Sequence, residues 1–155
     1  MDEQTAMGVL ALLGITLSAV IIGAIVLWVL YIVAFWKVFT KAGEPGWKSI
    51  IPIYNEYTFY KATWNTTMFW VFLGLGVVGS LMSSCGVDAS GGLTAVGIIG
   101  TLLSFAAAVI AVIQSYKTSK AYGHGVGFFL GLVFFNWIFL MILGLGSSEY
   151  KGPQK

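Results

Sequence analysis

The sequence predicts an all-α integral membrane protein. We expect a four-transmembrane-helix bundle with an amphipathic interfacial helix between spans one and two, forming a single membrane domain over residues 1–155. Of the 155 residues, 58% are apolar and only 9% are charged, whereas a soluble domain usually carries about 25% charged residues. Four long apolar stretches also lack Asp, Glu, Lys and His. A globule of this length cannot bury so much apolar surface, which excludes a soluble domain.

The same composition excludes other classes of protein. There is no Arg, and eight Lys are nearly balanced by six acidic residues, so we do not expect nucleic-acid binding. The single cysteine, Cys85, excludes an intrachain disulfide and is interpreted as a small packing residue, with lipidation or an intermolecular bridge left open. The single histidine, His124, makes no metal site, and neither a metal nor a cofactor is predicted.

The first span covers about residues 7–36 and carries no charge. It is longer than the ~30 Å hydrocarbon core requires, so we expect it to tilt or to project beyond the membrane. The preceding Met-Asp-Glu-Gln is acidic, and the apolar run exceeds the length of a signal-peptide core, so this segment is predicted to stay as a helix.

The interfacial helix is predicted at about residues 52–64. Gly43, Pro45 and Gly46 mark a turn after the first span, and Pro52 suits a first helical position. Spacings of three and four then place apolar and aromatic side chains on one face: Ile50, Ile53, Tyr54, Tyr57, Tyr60 and Trp64. Polar side chains lie largely opposite, with Phe59 as an exception: Asn55, Glu56, Thr58 and Lys61. The helix is interpreted either as a partner-docking or lipid-sensing surface, or as a structural elbow that seals the bundle.

The remaining spans are predicted at about residues 68–84, 93–115 and 126–146. Small residues recur at helical spacing on their faces, which favours close helix packing in lipid. They are Gly76, Gly79 and Ser83 in the second span, Gly97, Gly100, Ser104, Ala108, Ala111 and Ser115 in the third, and Gly127 and Gly131 in the fourth. Asn136 lies near the middle of the fourth span and must find a partner on another helix or another subunit.

Lysine placement predicts the orientation. Six of the eight lysines lie between spans one and two or between spans three and four: Lys37, Lys41, Lys48, Lys61, Lys117 and Lys120. These loops are therefore predicted to be cytoplasmic, with both termini outside. Only Lys151 and Lys155, at the end of the chain, disagree with this arrangement.

Two blocks of sequence resemble the signature of an uncharacterised family of small bacterial multi-pass membrane proteins. The first is Phe39-Thr-Lys-Ala-Gly-Glu-Pro-Gly-Trp47 followed by Ile50-Ile-Pro-Ile-Tyr-Asn55, and the second begins at Lys120-Ala-Tyr-Gly-His-Gly-Val-Gly-Phe128 and closes at Tyr150-Lys-Gly-Pro153. The resemblance implies a location in the bacterial cytoplasmic membrane, and it implies no established activity. Members of the family are sometimes labelled signal peptidase I.

The residues offer little support for that label. A Ser–Lys dyad would have to come from Ser147, Ser148 and Lys151, with no globular domain to hold it in place. A Ser–His pair between Ser90 and His124 is excluded, because the two lie on opposite sides of the predicted membrane. No enzyme is therefore predicted, and a membrane hydrolase is kept only as a remote alternative.

The predicted function is a non-enzymatic scaffold or accessory subunit of a membrane complex, with a membrane-protein partner or a second copy of the chain as its ligand. The residues predicted to form the partner or lipid interface are Trp47, Ile53, Tyr54, Tyr57, Tyr60, Trp64, Lys120 and Phe128. The alternative is a small oligomeric channel or transporter for an uncharged or weakly charged solute, with Asn136 as its intramembrane polar residue. Because the predicted spans carry no charge, ion coupling is not expected.

Overall fold

A computed structural model describes residues 3–88 and 90–154, and the fold is built from helices. The helices are α1 (Glu3–Lys41), α2 (Pro52–Thr63), α3 (Thr66–Cys85), α4 (Ala95–Ala121), α5 (Val126–Phe134) and α6 (Asn136–Leu145), with a 3₁₀ turn at Gly46–Ile50 before α2. In the described part of the chain, three of them are long and apolar enough to cross a membrane, namely α1 (from Leu10), α3 and α4. The class of helical membrane protein and the first three spans are thus supported.

Helix α1 has 39 residues and is ~58 Å long at 1.5 Å per residue, well beyond the thickness of a hydrocarbon core. Residues 10–30 are exposed throughout, and side chains become buried only from Ala34 onward. The helix ends at Lys41, and the positive φ of 75° at Gly43 in the turn that follows allows the Glu44 amide to donate back to the Phe39 carbonyl at 2.9 Å. Only the end of α1 near Lys41 packs against the rest of the protein.

Helices α3 and α4 form an antiparallel pair whose backbones approach closely at small residues. A Cβ atom on Gly79 would lie 2.7 Å from the backbone nitrogen of Ser104, and one on Gly100 would overlap the backbone at Ser83. The small-residue faces predicted for the second and third spans therefore meet each other at these positions. Gly76 is different, because the space beside it is open.

The predicted fourth span, 126–146, is not one helix. It is divided at Phe135 into α5 and α6, of 9 and 10 residues, which are too short to cross a hydrocarbon core singly. The two run antiparallel: the Phe128 and Phe139 rings are 5.0 Å apart, and His124 Nε2 lies 2.8 Å from Ser148 Oγ. The segment therefore enters and returns at the same end of the protein, so the four-helix bundle does not describe this structure.

The segment after α6 is tied to the ends of α2 and α4. The Lys151 amide donates to the Ala121 carbonyl at 2.7 Å, and the Gln154 amide donates to the Thr63 carbonyl at 3.0 Å. This places the C-terminal segment beside Lys41 and at the opposite end of α1 from Glu3, contrary to the prediction that both termini lie on one side. Lys151 now agrees with the other lysines, whereas Lys155 falls outside the described residues.

The buried core lies at this lysine-bearing end. It is built from side chains of α1, α2, α5 and α6 and from the end of α4, and Tyr122 donates a hydrogen bond from its hydroxyl to the Val38 carbonyl at 2.9 Å. The core residues are Phe35, Val38, Phe39, Phe59, Ala121, Tyr122, Leu132, Leu140 and Leu143. The close contact of α6 with α1 depends on Gly144, because a Cβ there would overlap the backbone of Ala34.

Candidate functional site: a polar cavity beneath a helical hairpin

A cavity of about 160 Å³ lies between α1, α2, α3, α4 and α6. Apolar and aromatic side chains form most of its wall, and four polar side chains from three helices converge on it: Glu56, Gln114, Ser115 and Asn136. The space suffices for several water molecules. Such a concave site with a few convergent polar groups is typical of a small-ligand site.

Gln114 is 4% exposed and its amide orientation follows from its neighbours. The Thr63 hydroxyl donates to the Phe59 carbonyl at 2.7 Å, so its oxygen is left to accept, and Gln114 Nε2 donates to it. The unpaired atom of the amide is consequently the acceptor, Oε1, which has no hydrogen-bond partner within the described chain. Leaving a buried acceptor unpaired is costly, which favours a ligand or water at this point.

Glu56 is exposed, as predicted for the polar face of α2, and it also borders the cavity. There it faces side chains of α1, α4 and α6. Although its side chain is exposed to solvent, neighbouring protein atoms displace part of the water around the carboxyl group, and this desolvation raises its pKa above the ordinary 4.5. Its neighbour Thr58 is fully buried instead of solvated. The edge of the cavity thus contains an ionisable group that is also open to solvent.

Asn136 begins α6, at the tip of the α5–α6 hairpin. It borders both the polar cavity and a second space of about 190 Å³ between α4 and α5. No other described residue hydrogen-bonds to its side chain, so the helix partner expected for it is not found within residues 3–88 and 90–154. Asn136, which the sequence singles out as an intramembrane polar residue, therefore lies at the cavity.

A separate apolar groove of about 470 Å³ lies on the outer surface of α2 and α3. Tyr54 and Tyr57 stack with ring centroids 5.9 Å apart, and Trp47 lies 5.8 Å from Tyr54. Ile53 is 66% exposed beside them, and Trp70 of α3 closes the groove. Four of the predicted interface residues therefore form one continuous aromatic surface, which we call the aromatic groove (Trp47, Ile53, Tyr54, Tyr57 and Trp70).

The other four predicted interface residues lie elsewhere. Tyr60 is buried and borders the polar cavity. The ammonium group of Lys117 lies 5.8 Å from the centre of the Trp64 ring. Lys120 is exposed on α4, and Phe128 packs inside the hairpin against Phe139. The candidates on α2 therefore do not share one surface, because α2 packs on more than one side and its aromatic residues divide between the groove and the core.

The first sequence block that carries the resemblance forms a charged clasp. Glu44 accepts hydrogen bonds from Lys48 at 2.6 Å and from Lys61 at 2.7 Å, so it ties the turn after α1 to α2. Burial raises the pKa of Glu44, but the hydrogen bonds from the two lysines outweigh it and the net shift is downward. Gly46 allows the turn to lie against Trp36, whose ring a Cβ would overlap. These contacts position α2, and with it Glu56.

Two of the residues considered for hydrolysis, His124 and Ser148, are in contact. His124 Nε2 lies 2.8 Å from Ser148 Oγ, which is within the reach of a base and a nucleophile. Its ring stacks on Phe128 at 4.0 Å, and no carboxylate of the described residues hydrogen-bonds to it. The pair joins the two ends of the hairpin and lacks the third group that orients a catalytic imidazole. Cys85 is exposed at the other end of the protein, and the described residues contain no cluster of metal ligands.

A family model matches residues 47–153, from the charged clasp to the C-terminal segment. The chain belongs to this family, a family of unknown function (DUF5684). No curated protein and no solved structure matches it. The match includes α2, the hairpin and all four polar side chains of the cavity, and the membership is consistent with the resemblance to an uncharacterised family.

Proposed function

We propose that the protein is a non-enzymatic channel or transporter of the bacterial cytoplasmic membrane, and that the polar cavity is its solute site. The observation that supports this most is the convergence of Glu56, Gln114 and Asn136 on one space between membrane-length helices. Polar and ionisable groups inside a bilayer are expensive and usually mark a solute or ion pathway.

The hairpin gives this proposal further support. Transporters commonly place their sites where short or broken helices end inside the membrane, because free backbone groups and polar side chains are exposed there. The tip of the α5–α6 hairpin lies at Asn136, which borders the cavity. A short helical pair that enters and returns is therefore the kind of element expected beside a solute site.

We further propose that the lysine-bearing end is cytoplasmic. All lysines of the described chain lie at that end, on α1, α2, α4 and the segments that join or follow them. The positive-inside rule then places the start of α1 outside and the C-terminal segment inside, with three spans. The exposed surface of α1 over residues 10–30 faces lipid or another copy of the chain in this arrangement.

Solute flux into vesicles tests the proposal. The purified full chain, reconstituted in phosphatidylethanolamine–phosphatidylglycerol vesicles, is expected to admit urea or guanidinium faster than protein-free vesicles. Ala111→Phe, which fills the cavity wall, should abolish the increase, whereas Ala108→Phe on the exposed side of α4 should retain it. Asn136→Leu serves as a second cavity variant, and circular dichroism confirms helix content in each. Equal flux of both solutes in protein-containing and protein-free vesicles would contradict the proposal.

A second function, the predicted scaffold or accessory subunit, is supported by the aromatic groove. Its exposed rings at Trp47, Tyr54 and Trp70 form an apolar surface of a kind enriched at interfaces. We expect Tyr54→Glu with Tyr57→Glu to release a stoichiometric membrane partner in mild detergent, while Tyr116→Glu, at an exposed ring outside the groove, keeps it. Purification of the wild type without any stoichiometric partner would count against this second function.

A further inference from the structure

We propose that the cavity binds a small organic cation that donates hydrogen bonds, of the primary ammonium or guanidinium class. This inference deepens the proposed function, since it assigns the solute class of the same cavity. It rests on the negative charge of the wall, on its unpaired acceptors and on its aromatic rings.

The charge of the wall is negative. Among the described residues that border the cavity, Glu56 is the only acidic one and none is a lysine. The other titratable groups are Tyr31 of α1 and Tyr60 of α2, and α3, α4 and α6 contribute none. An ionised Glu56 is therefore without a countercharge in the cavity, and a monovalent cation supplies it.

Three of the polar side chains in the wall offer hydrogen-bond acceptors, while the Asn136 amide and the hydroxyls of Tyr31 and Tyr60 can also donate. An ionised Glu56 only accepts hydrogen bonds, and Gln114 Oε1 is a buried acceptor without a partner. Ser115 already donates its hydroxyl proton to the Ala111 carbonyl at 3.1 Å, which leaves its oxygen to accept. A ligand with several N–H donors satisfies these atoms together, whereas water or an alkali ion offers no such fixed set of donors.

The apolar part of the wall also suits an organic cation. Aromatic rings from α1, α2 and α3 border the same space, namely those of Phe35, Phe59, Tyr60 and Phe72. Ring faces attract ammonium and guanidinium groups, and more strongly when water is excluded. The volume of about 160 Å³ limits the ligand to a few non-hydrogen atoms.

Equilibrium dialysis of the full chain in detergent, at mildly alkaline pH, tests the inference with three probes. Guanidinium is charged and donates hydrogen bonds, urea has the same shape without the charge, and tetramethylammonium has the charge without the donors. We expect guanidinium to bind at least ~10-fold more tightly than either of the others, the effect of one charge-assisted hydrogen bond. Equal binding of guanidinium and urea would overturn the role of charge, and equal binding of guanidinium and tetramethylammonium would overturn the role of the donors.

Variants locate the binding site. Glu56→Gln should weaken guanidinium binding by at least ~10-fold, because the charge-assisted bond is lost, while Glu149→Gln, at an exposed acid in the C-terminal segment, should leave it unchanged. Gln114→Met removes the unpaired acceptor and should also weaken it. Unchanged binding in folded Glu56→Gln protein would refute the assignment. Selective binding without flux would refute the proposed transport alone, and flux without preference for guanidinium would refute this inference alone.

Discussion

Lys41 holds the hairpin against α1 through the end of α6. Its Nζ donates hydrogen bonds of 2.7 Å to the Leu143 carbonyl and 2.7 Å to the Gly146 carbonyl. These belong to the last turn of α6 and the residue that follows it, where helical carbonyls lack partners within the helix and a positive charge is favourable. Replacing Lys41 by Met keeps the length of the side chain and removes both bonds.

The size of the effect follows from the two bonds. A hydrogen bond from a charged donor contributes ~1.5–3 kcal/mol when it is shielded from water. Because Lys41 is only half-buried, water can bond to the two freed carbonyls in the variant, which recovers part of this free energy. We therefore expect Lys41→Met to lower the free energy of unfolding by about 2 kcal/mol in total, near the lower end for two such bonds.

Reversible unfolding in mixed detergent micelles measures this loss. Lys37→Met is the matched control, since Lys37 is exposed one turn earlier on the same helix. Its free energy of unfolding should change by less than ~0.5 kcal/mol, as for most surface substitutions. If the two variants lost the same stability, Lys41 would not be what joins the hairpin to α1.

Three further variants test the packing and the cavity. Gly144→Ala should lower the free energy of unfolding by ~1–3 kcal/mol, because it forces α6 away from α1. Gly127→Ala, beside open space, should be neutral or stabilise α5 by up to ~1 kcal/mol. Equal effects of the two variants would contradict the close contact between α6 and α1. Tyr122→Phe should cost ~1 kcal/mol through its lost bond to α1, and an unchanged unfolding curve would exclude that bond. Because the pKa of Glu56 is raised in the folded state, the folded protein binds this proton more tightly than the unfolded chain does. The free energy of unfolding should therefore fall as pH rises from 4.5 toward the folded pKa. Thermal unfolding across that range should show a smaller fall in Glu56→Gln, and an identical slope would refute the shift.

The first three spans could be predicted because an uninterrupted apolar helix of sufficient length has few other stable environments. The fourth could not, since hydropathy reports apolar length and not direction. The break falls at Phe135, with neither Pro nor Gly beside it. Two signals were nevertheless present: Asn136 is a poor residue for a helix interior, and Lys151 disagreed with the topology that a fourth span required.

The cavity could be predicted only in part. Asn136 stood out as a lone polar residue in an apolar stretch, but Glu56 was assigned to solvent because it lies opposite the aromatic residues of α2. Periodicity separates two faces of a helix and does not tell which face meets water, and here both are covered in part. Gln114 lies inside the predicted third span, one turn before Lys117, and its position within that apolar stretch was the available signal.

The return of the hairpin to its starting end is the central claim, since the cavity and the three-span topology both depend on it. Cysteine labelling from outside intact cells tests it, in a Cys85→Ser background, with single cysteines at Ser90 and Ser147, both of which are exposed. We expect the impermeant reagent to label position 90 and to reach position 147 only after the membrane is opened. Labelling of both positions in intact cells would show that residues 126–146 cross the membrane and would contradict the hairpin.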